Sequence, residues 1–481
     1  MSANAILASN FIVLCDSYKL HHFAEYPADT EFIYSTVVPR KPTKYTKEIV
    51  AIGQSFAAAF LATVRITHAM IDEAEIEVNG YGYEFNRKDW EIIVDEFDGR
   101  LPLAMYGVEE GTVVPPNTPI LGIVNTDPRF FWLVSYVETV VQRIMWKMTT
   151  VASISRYCYK QIQIAMESTG ADMGLLEYKL HNFGDRGADG EDAAIMASIA
   201  HAALFSGSDC TSANRYIKKI YKTNKSYLSS VDATEHSVMC SHSDAKNKDD
   251  WGAAVMSVER LEETVARFKR GVGIPLQSVV IDTYDDERFV KEYLGTRLKD
   301  RILASGGVMV ARPDSGDPLT KPVQVVQWLD EKFGSTTNAE GFRVLNPSVR
   351  VIQGDGINQD SIPKIMENLA LAGYSMDNLT FGMGGGLTHG PGRDEFSFSM
   401  KATARFNGED WIDLLKEPKT DAGKKSLSGL VHTTYEEGKL KTVKGNSFSI
   451  FRPTEGWQLY FCDGDVEYVP NFDEVRNRAR A

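Results

Sequence analysis

The sequence predicts an α/β protein whose later half carries parallel strands of the barrel type and whose two ends are β-rich. Two observations lead there. Between residues 278 and 386 four strand-like runs recur at intervals of roughly 30 to 40 residues, each opening into a polar loop. The intervening segments 286–303, 320–333 and 360–373 space their apolar residues as helices do. Strands joined by single helices are βα units with parallel strands. Their polar loops follow the C-terminal strand ends, where α/β barrels build their sites.

A chain of 481 residues exceeds one small core, so two domains, or one large barrel with additions, are expected. Apolar content of 43% and charged content of 24% are those of a globular protein in water. A net charge of −13 argues against nucleic acid or an anionic membrane as the main partner, while allowing a local basic pocket. The 5 cysteines are scattered, without CxxC spacing, which fits a reducing cytoplasm with neither a disulfide framework nor a zinc site. Residues 1–14 lack the basic start of a signal peptide, and no apolar run reaches membrane-spanning length.

In chain order, Phe32–Val38 is β-branched and aromatic, hence a strand. Residues 47–75 have helical spacing, and 100–125, with Pro115, Pro116 and Pro119, form a small β-subdomain. Residues 128–166 are helical, with a break at Thr149-Thr150-Val151-Ala152. Residues 174–189 pair a short strand with a Gly-flanked cluster of charged and aromatic side chains, and Ala193–Phe205 is a helix ended by Gly207-Ser208-Asp209. Glu235-His236-Ser237 lies in a loop. The four strand–loop units are Ser278–Ile281 into Asp282, Val308–Val310 into Arg312-Pro313-Asp314, Val349–Ile352 into Gly354-Asp355-Gly356, and Leu379–Phe381 into Gly382-Met383-Gly384-Gly385-Gly386. Residues 393–481 return to β-rich, charged composition.

The loops carry a consistent chemistry. Glycines at 384–386 let backbone N–H groups converge on phosphate oxygens. Arg186 and Arg312 offer the bidentate fork that matches phosphate. Asp282, Asp314 and Asp355 suit ribose hydroxyls or a hydrated metal, and Asp317 reads as a turn residue. Together they describe a phosphorylated-sugar site, with Mg²⁺ held mainly through phosphate oxygens rather than a dedicated ligand set. Phe183 and Tyr18 offer stacking faces. His236, in a loop near phosphate-binding arginines, is a candidate phosphoryl acceptor.

The motifs Asp16-Ser17-Tyr18-Lys19, Gly174–Gly187, Glu235-His236-Ser237, Arg312–Gly316, Val351–Gly356 and Phe381–Leu387, in this order and spacing, resemble the nicotinamide phosphoribosyltransferase family from about residue 10 to 475. The resemblance implies synthesis of nicotinamide mononucleotide and pyrophosphate from nicotinamide and phosphoribosyl pyrophosphate in NAD salvage. It also implies an irregular α/β barrel-like domain at 151–389 and a β-rich α+β domain built from 1–150 and 390–481, in a cytoplasmic homodimer with shared active sites. Phe183 and the Tyr18 of the other copy would sandwich the pyridine ring, with Asp209 accepting the carboxamide N–H and Arg312 beside ring and phosphates. Asp314, Gly354 and Asp355 would hold ribose; Gly384 and Gly385, with Arg393, Ser399 and Lys401, would hold the 5′-phosphate. Arg186 and His236 would meet pyrophosphate, with Arg40, Lys416 and Lys424 extending the anion channel. His236 would be phosphorylated by ATP, a coupled co-substrate, and Asp282 joins Arg312, Asp314 and His236 in the catalytic set.

Three departures stand out: Cys210 follows Asp209, Met383 fills the variable position of the glycine loop, and Thr388–Gly392 is unusually glycine-rich. The nearest alternative is a nicotinate phosphoribosyltransferase, against which Asp209 would set like charge on like charge. A non-catalytic pyridine-nucleotide binder is the second alternative, although every expected position holds the expected chemical type. An aldolase or isomerase lacks a Schiff-base lysine at the strand ends.

Overall fold

The computed structural model describes residues 10–420 and 425–481. Seven short parallel strands form one sheet in the order Gly207–Ser208, Leu180–Asn182, Leu379–Met383, Val349–Gln353, Val308–Arg312, Leu276–Val280, Asp232–Ala233. The predicted four occupy its centre, and they are apolar because helices cover the sheet. The two edges approach each other through a parallel bridge from Gly207 to Ser229, just ahead of Asp232. The sheet therefore curls into an irregular barrel.

A second seven-stranded sheet is antiparallel, in the order Trp411–Asp413, Ser399–Phe406, Phe32–Val38, Leu121–Asn125, Leu103–Gly107, Gln458–Cys462, Asp465–Val466. Its strands come from both ends of the chain, and Phe32–Val38 matches the sequence expectation. The C-terminal helix Phe472–Arg480 ties back to the barrel: Arg476 and Arg480 both donate to Glu177, at 2.6 and 3.0 Å.

Several local expectations change. The break at Thr149–Ala152 is absent, for Glu138–Ser168 is one continuous helix. Thr149 donates its hydroxyl to the Ile52 carbonyl at 2.9 Å, and Ser153 accepts the Val50 N–H at 2.9 Å. The polar β-branched run serves the backbone of a neighbouring segment, and burial on both sides overrides its weak helix propensity. Residues 47–75 resolve into a two-residue strand, Ile49–Val50, and helices Gln54–Leu61 and His68–Gly80. The helix expected at 193–205 runs from Glu191 to Ala202. His236 lies at the start of a six-residue helix, His236–Ser241, rather than in a loop; buried Met239 anchors that turn. Residues 286–303 contain three helical pieces, the middle one, Phe289–Arg297, wound as a π-helix. Among the described residues no helix is long and apolar enough to cross a membrane.

Candidate active site

Every strand of the curled sheet delivers a candidate residue at or just beyond its C-terminal end. Phe183 follows Asn182, Asp209 follows Ser208, and His236 opens a helix just after Asp232–Ala233. Asp282, Arg312 with Asp314, Gly354 with Asp355, and Gly384 with Gly385 occupy the other four ends. Parallel pairing fixes this convergence, since strands sharing a direction must share an outlet.

Phe183 is held by its backbone N–H, which donates to the Met383 carbonyl at 2.8 Å. Its half-buried ring lies on the glycine side of the neighbouring strand. A Cβ on Gly382 would overlap the ring, and one on Gly354 would sit 3.3 Å from Cε2. Asp209 is placed by its own N–H, which donates to the Asn182 carbonyl at 3.0 Å, so its carboxylate rises on the strand beside Phe183. The Ser230 hydroxyl donates to Asp209 Oδ1 at 2.6 Å. Nearby His181 is 8% exposed; burial pushes its pKa down and the Asp209 charge opposes that.

Of the pyrophosphate candidates, His236 joins Asp282 and Asp314 in one group. His236 Nε2 lies 3.3 Å from Asp282 Oδ1, and Nδ1 lies 3.8 Å from Asp314 Oδ2. The His236 side chain is 44% exposed while that of Asp282 is 7% exposed, so the carboxylate is the fixed member and the imidazole the accessible one. Asp282 Oδ2 accepts the Asp314 N–H at 3.2 Å and the Ser315 hydroxyl, which couples two strand ends. Arg312 donates to the Thr234 carbonyl at 2.9 Å, while its buried Nε has no partner among the described residues. Asp317 receives the Leu319 N–H and the Thr320 hydroxyl at 3.0 Å, a turn ahead of the next helix.

The glycine loop has open space where a phosphate cradle needs it: a Cβ on Gly385 would meet no atom within 4 Å. Arg186 sits on the exposed turn Asp185–Gly187, which passes beside Gly385. Among the described residues no three acidic, histidine or cysteine side chains converge as a metal cage.

The remaining candidates lie elsewhere, on the antiparallel sheet and its margins. Tyr18 is 55% exposed and shares a cavity of about 210 Å³ with Lys19, His22, Glu138 and Lys401. Arg40, Ser399 and Lys401 line a second groove, with Lys401 opposite Thr36 and Ser399 opposite Val38 in register. Exposed Lys416 donates its backbone N–H to Ser426 at 2.9 Å, and exposed Arg393 pairs with Asp394 at 3.0 Å. Lys424 falls outside the described residues. Among the described residues no hydrogen bond or ion pair joins this second group to the strand-end group. Sequence reasoning did not single out Ser230, His181 or Lys147. Only Lys147 carried a visible signal, a lone charge inside Ile144–Met148.

A model of the nicotinate phosphoribosyltransferase family matches residues 178–447, and a model of the nicotinamide phosphoribosyltransferase N-terminal domain matches residues 10–105. A nicotinamide phosphoribosyltransferase of Xanthomonas campestris pv. campestris is 37% identical over 422 residues, covering 87% of this chain and 86% of that one. One of Acinetobacter baylyi is 32% identical over 507 residues, covering 96% and 95%. In fold, the chain is similar to the crystal structure of a nicotinate-nucleotide pyrophosphorylase from Pyrococcus furiosus, with a TM-score of 0.59, 13% identity and 98% and 95% of the two chains covered. The structure of human nicotinic acid phosphoribosyltransferase gives a TM-score of 0.56, 16% identity and coverage of 97% and 93%.

Proposed function

The chain belongs to the nicotinamide phosphoribosyltransferases of the nicotinate phosphoribosyltransferase family, and from that membership we propose how its strand-end cluster works. The enzyme joins nicotinamide to phosphoribosyl pyrophosphate, giving nicotinamide mononucleotide and pyrophosphate. The pyridine nitrogen lone pair forms the bond to ribose C1 while the C1–O bond breaks with its pair going to pyrophosphate. Positive charge grows on the ribose and negative charge on the leaving group.

Position supports the following roles. Phe183 presents a flat face to the pyridine ring, and Asp209, on the adjacent strand, accepts the carboxamide N–H. Asp314, Gly354 and Asp355 receive the ribose hydroxyls, and Gly384 and Gly385 receive the 5′-phosphate. Arg312 and Arg186 carry the charge of the leaving pyrophosphate. Asp282 Oδ1 is buried and, among the described residues, faces only the His236 ring nitrogen at 3.3 Å, and one or two carboxylates with substrate phosphates are the usual donors for Mg²⁺. Asp282 and Asp314 would hold that ion, which supplies charge neutralisation on the pyrophosphate.

His236, against fixed Asp282, is the phosphoryl acceptor from ATP: a ring nitrogen bonds to the γ-phosphorus as the bond to ADP breaks. The second group, Tyr18, Arg40, Arg393, Ser399, Lys401, Lys416 and Lys424, completes the site of the other copy in a cytoplasmic homodimer. On this reading the β-rich domain takes 1–150 and 390–481, and the barrel-like domain 151–389.

The observation that carries the choice of base is the Asp209 carboxylate beside Phe183. The test mixes the protein with Mg²⁺, phosphoribosyl pyrophosphate and either base, and follows pyrophosphate. Release with nicotinamide far above nicotinate is expected; no release with either base, or faster release with nicotinate, refutes the reading.

A further inference from the structure

Lys147 differs from the surface lysines. It lies within the Glu138–Ser168 helix and is 2% exposed. Its Nζ donates to the carbonyl of Thr388, the last residue of the short helix Gly385–Thr388 that follows the glycine loop. Thr388 in turn donates its hydroxyl to the Gly184 carbonyl at 2.8 Å, one residue beyond Phe183. Among the described residues no carboxylate pairs with Lys147; burial pushes its pKa down, and only the more distant charge of Asp189 opposes that.

A methionine or leucine would fill this space without desolvating an ammonium, so packing alone does not account for a lysine here. Besides the Trp146 ring, 5.6 Å from Nζ, and the more distant Asp189, the charge has two further favourable partners on the phosphoribosyl reading. One is the carbonyl end of the short helix, where cations are stabilising. The other would be the anionic phosphate assigned above to the glycine loop. We propose that Lys147 is a positioning residue for the 5′-phosphate cradle. Its ammonium pins the Thr388 carbonyl and so fixes Gly384 and Gly385 against the Gly184 turn. The inference rests on the phosphoribosyl reading of the glycine loop given above.

Steady-state kinetics of K147M and K147Q, with melting temperatures, test it. K147M has similar volume and no charge, and it is expected to raise KM for phosphoribosyl pyrophosphate about tenfold, with KM for nicotinamide within about twofold of the parent. K147Q keeps a donor without the charge and is expected to raise the same KM only about threefold. A lowered melting temperature with parental KM, equal rises in both KM values, or failure of both variants to fold each reduces Lys147 to a packing role and overturns the proposal. Absence of pyrophosphate release by the parent refutes the functional reading instead. Calorimetric binding of phosphoribosyl pyrophosphate to parent and variants then still tests the cradle.

Discussion

On the proposed reading, a single carboxylate at Asp209 decides between two bases that differ by one charge. Ser230 occupies Oδ1 at 2.6 Å, which leaves Oδ2 for the carboxamide N–H. Hydrogen bonds to charged groups contribute about 1.5–3 kcal/mol. A nicotinate carboxylate at the same place would meet like charge, a penalty of about 4 kcal/mol at 4 Å and an effective dielectric near 20. Asp209→Ser is therefore expected to narrow the nicotinamide-over-nicotinate ratio of kcat/KM by roughly tenfold to a hundredfold. An unchanged ratio would remove Asp209 from base selection. His236 poses a different question, since its ring is accessible and its carboxylate partner is not. In His236→Ala the rate with ATP divided by the rate without it is expected to fall to about one. Equal stimulation in variant and parent would assign phosphoryl transfer elsewhere.

The strand Leu379–Met383 shows how an element serves a site through positions that carry no side chain. It pairs in parallel with Leu180–Asn182, Gly382 opposite His181, so the Phe183 ring comes to rest on a strand position that has no side chain. Gly382→Ala must displace the ring or strain the strand, and overpacking of this kind costs about 1–3 kcal/mol. The expected result is a KM for nicotinamide raised at least about tenfold with a lowered melting temperature. Gly385→Ala, whose Cβ has open space, should spare the melting temperature and raise KM for phosphoribosyl pyrophosphate instead. The reverse pattern would detach Phe183 from the base. This division of labour was partly legible in the sequence. Central strands such as Val308–Arg312 announce themselves by β-branched runs opening into glycine and aspartate. The edge strands Gly207–Ser208 and Asp232–Ala233 have 2 residues each, too few for any periodicity, and exist only through pairing with distant segments. Thr149–Ala152 misled for the opposite reason, because the Thr149 hydroxyl serves Ile52, which is remote in sequence. Phe183, Asp209 and His236 were visible as motif positions, but the hydrogen bond from Ser230 to Asp209 was not, since nothing local to Ser230 marks it.

At the scale of the whole molecule, one rod links the two groups of candidate residues. The helix Glu138–Ser168 holds Lys19, beside Tyr18, through Glu138 at 2.6 Å, and reaches the glycine loop through Lys147. Those two attachment points are about 13 Å apart along the helix axis. On the proposed reading, exposed Tyr18 and the cations on and beside the antiparallel sheet, Lys401 with Arg40 and Lys416, would meet a planar ring and an anion held by another copy. In the proposed homodimer, two-fold pairing would supply both, each copy offering its sheet group to the strand-end group of the other. This arrangement predicts complementation between two variants that are each impaired. Tyr18→Ala damages the sheet group and Asp282→Asn the strand-end group. When the two are unfolded together and refolded in equal amounts, half of the dimers are mixed, and each mixed dimer has one site carrying both lesions and one carrying neither. Specific activity should therefore recover to about one quarter of the parent value. Recovery no greater than the sum of the two variants measured alone, with mixed dimers demonstrated by differential tagging, would place Tyr18 and Asp282 in the same copy's site.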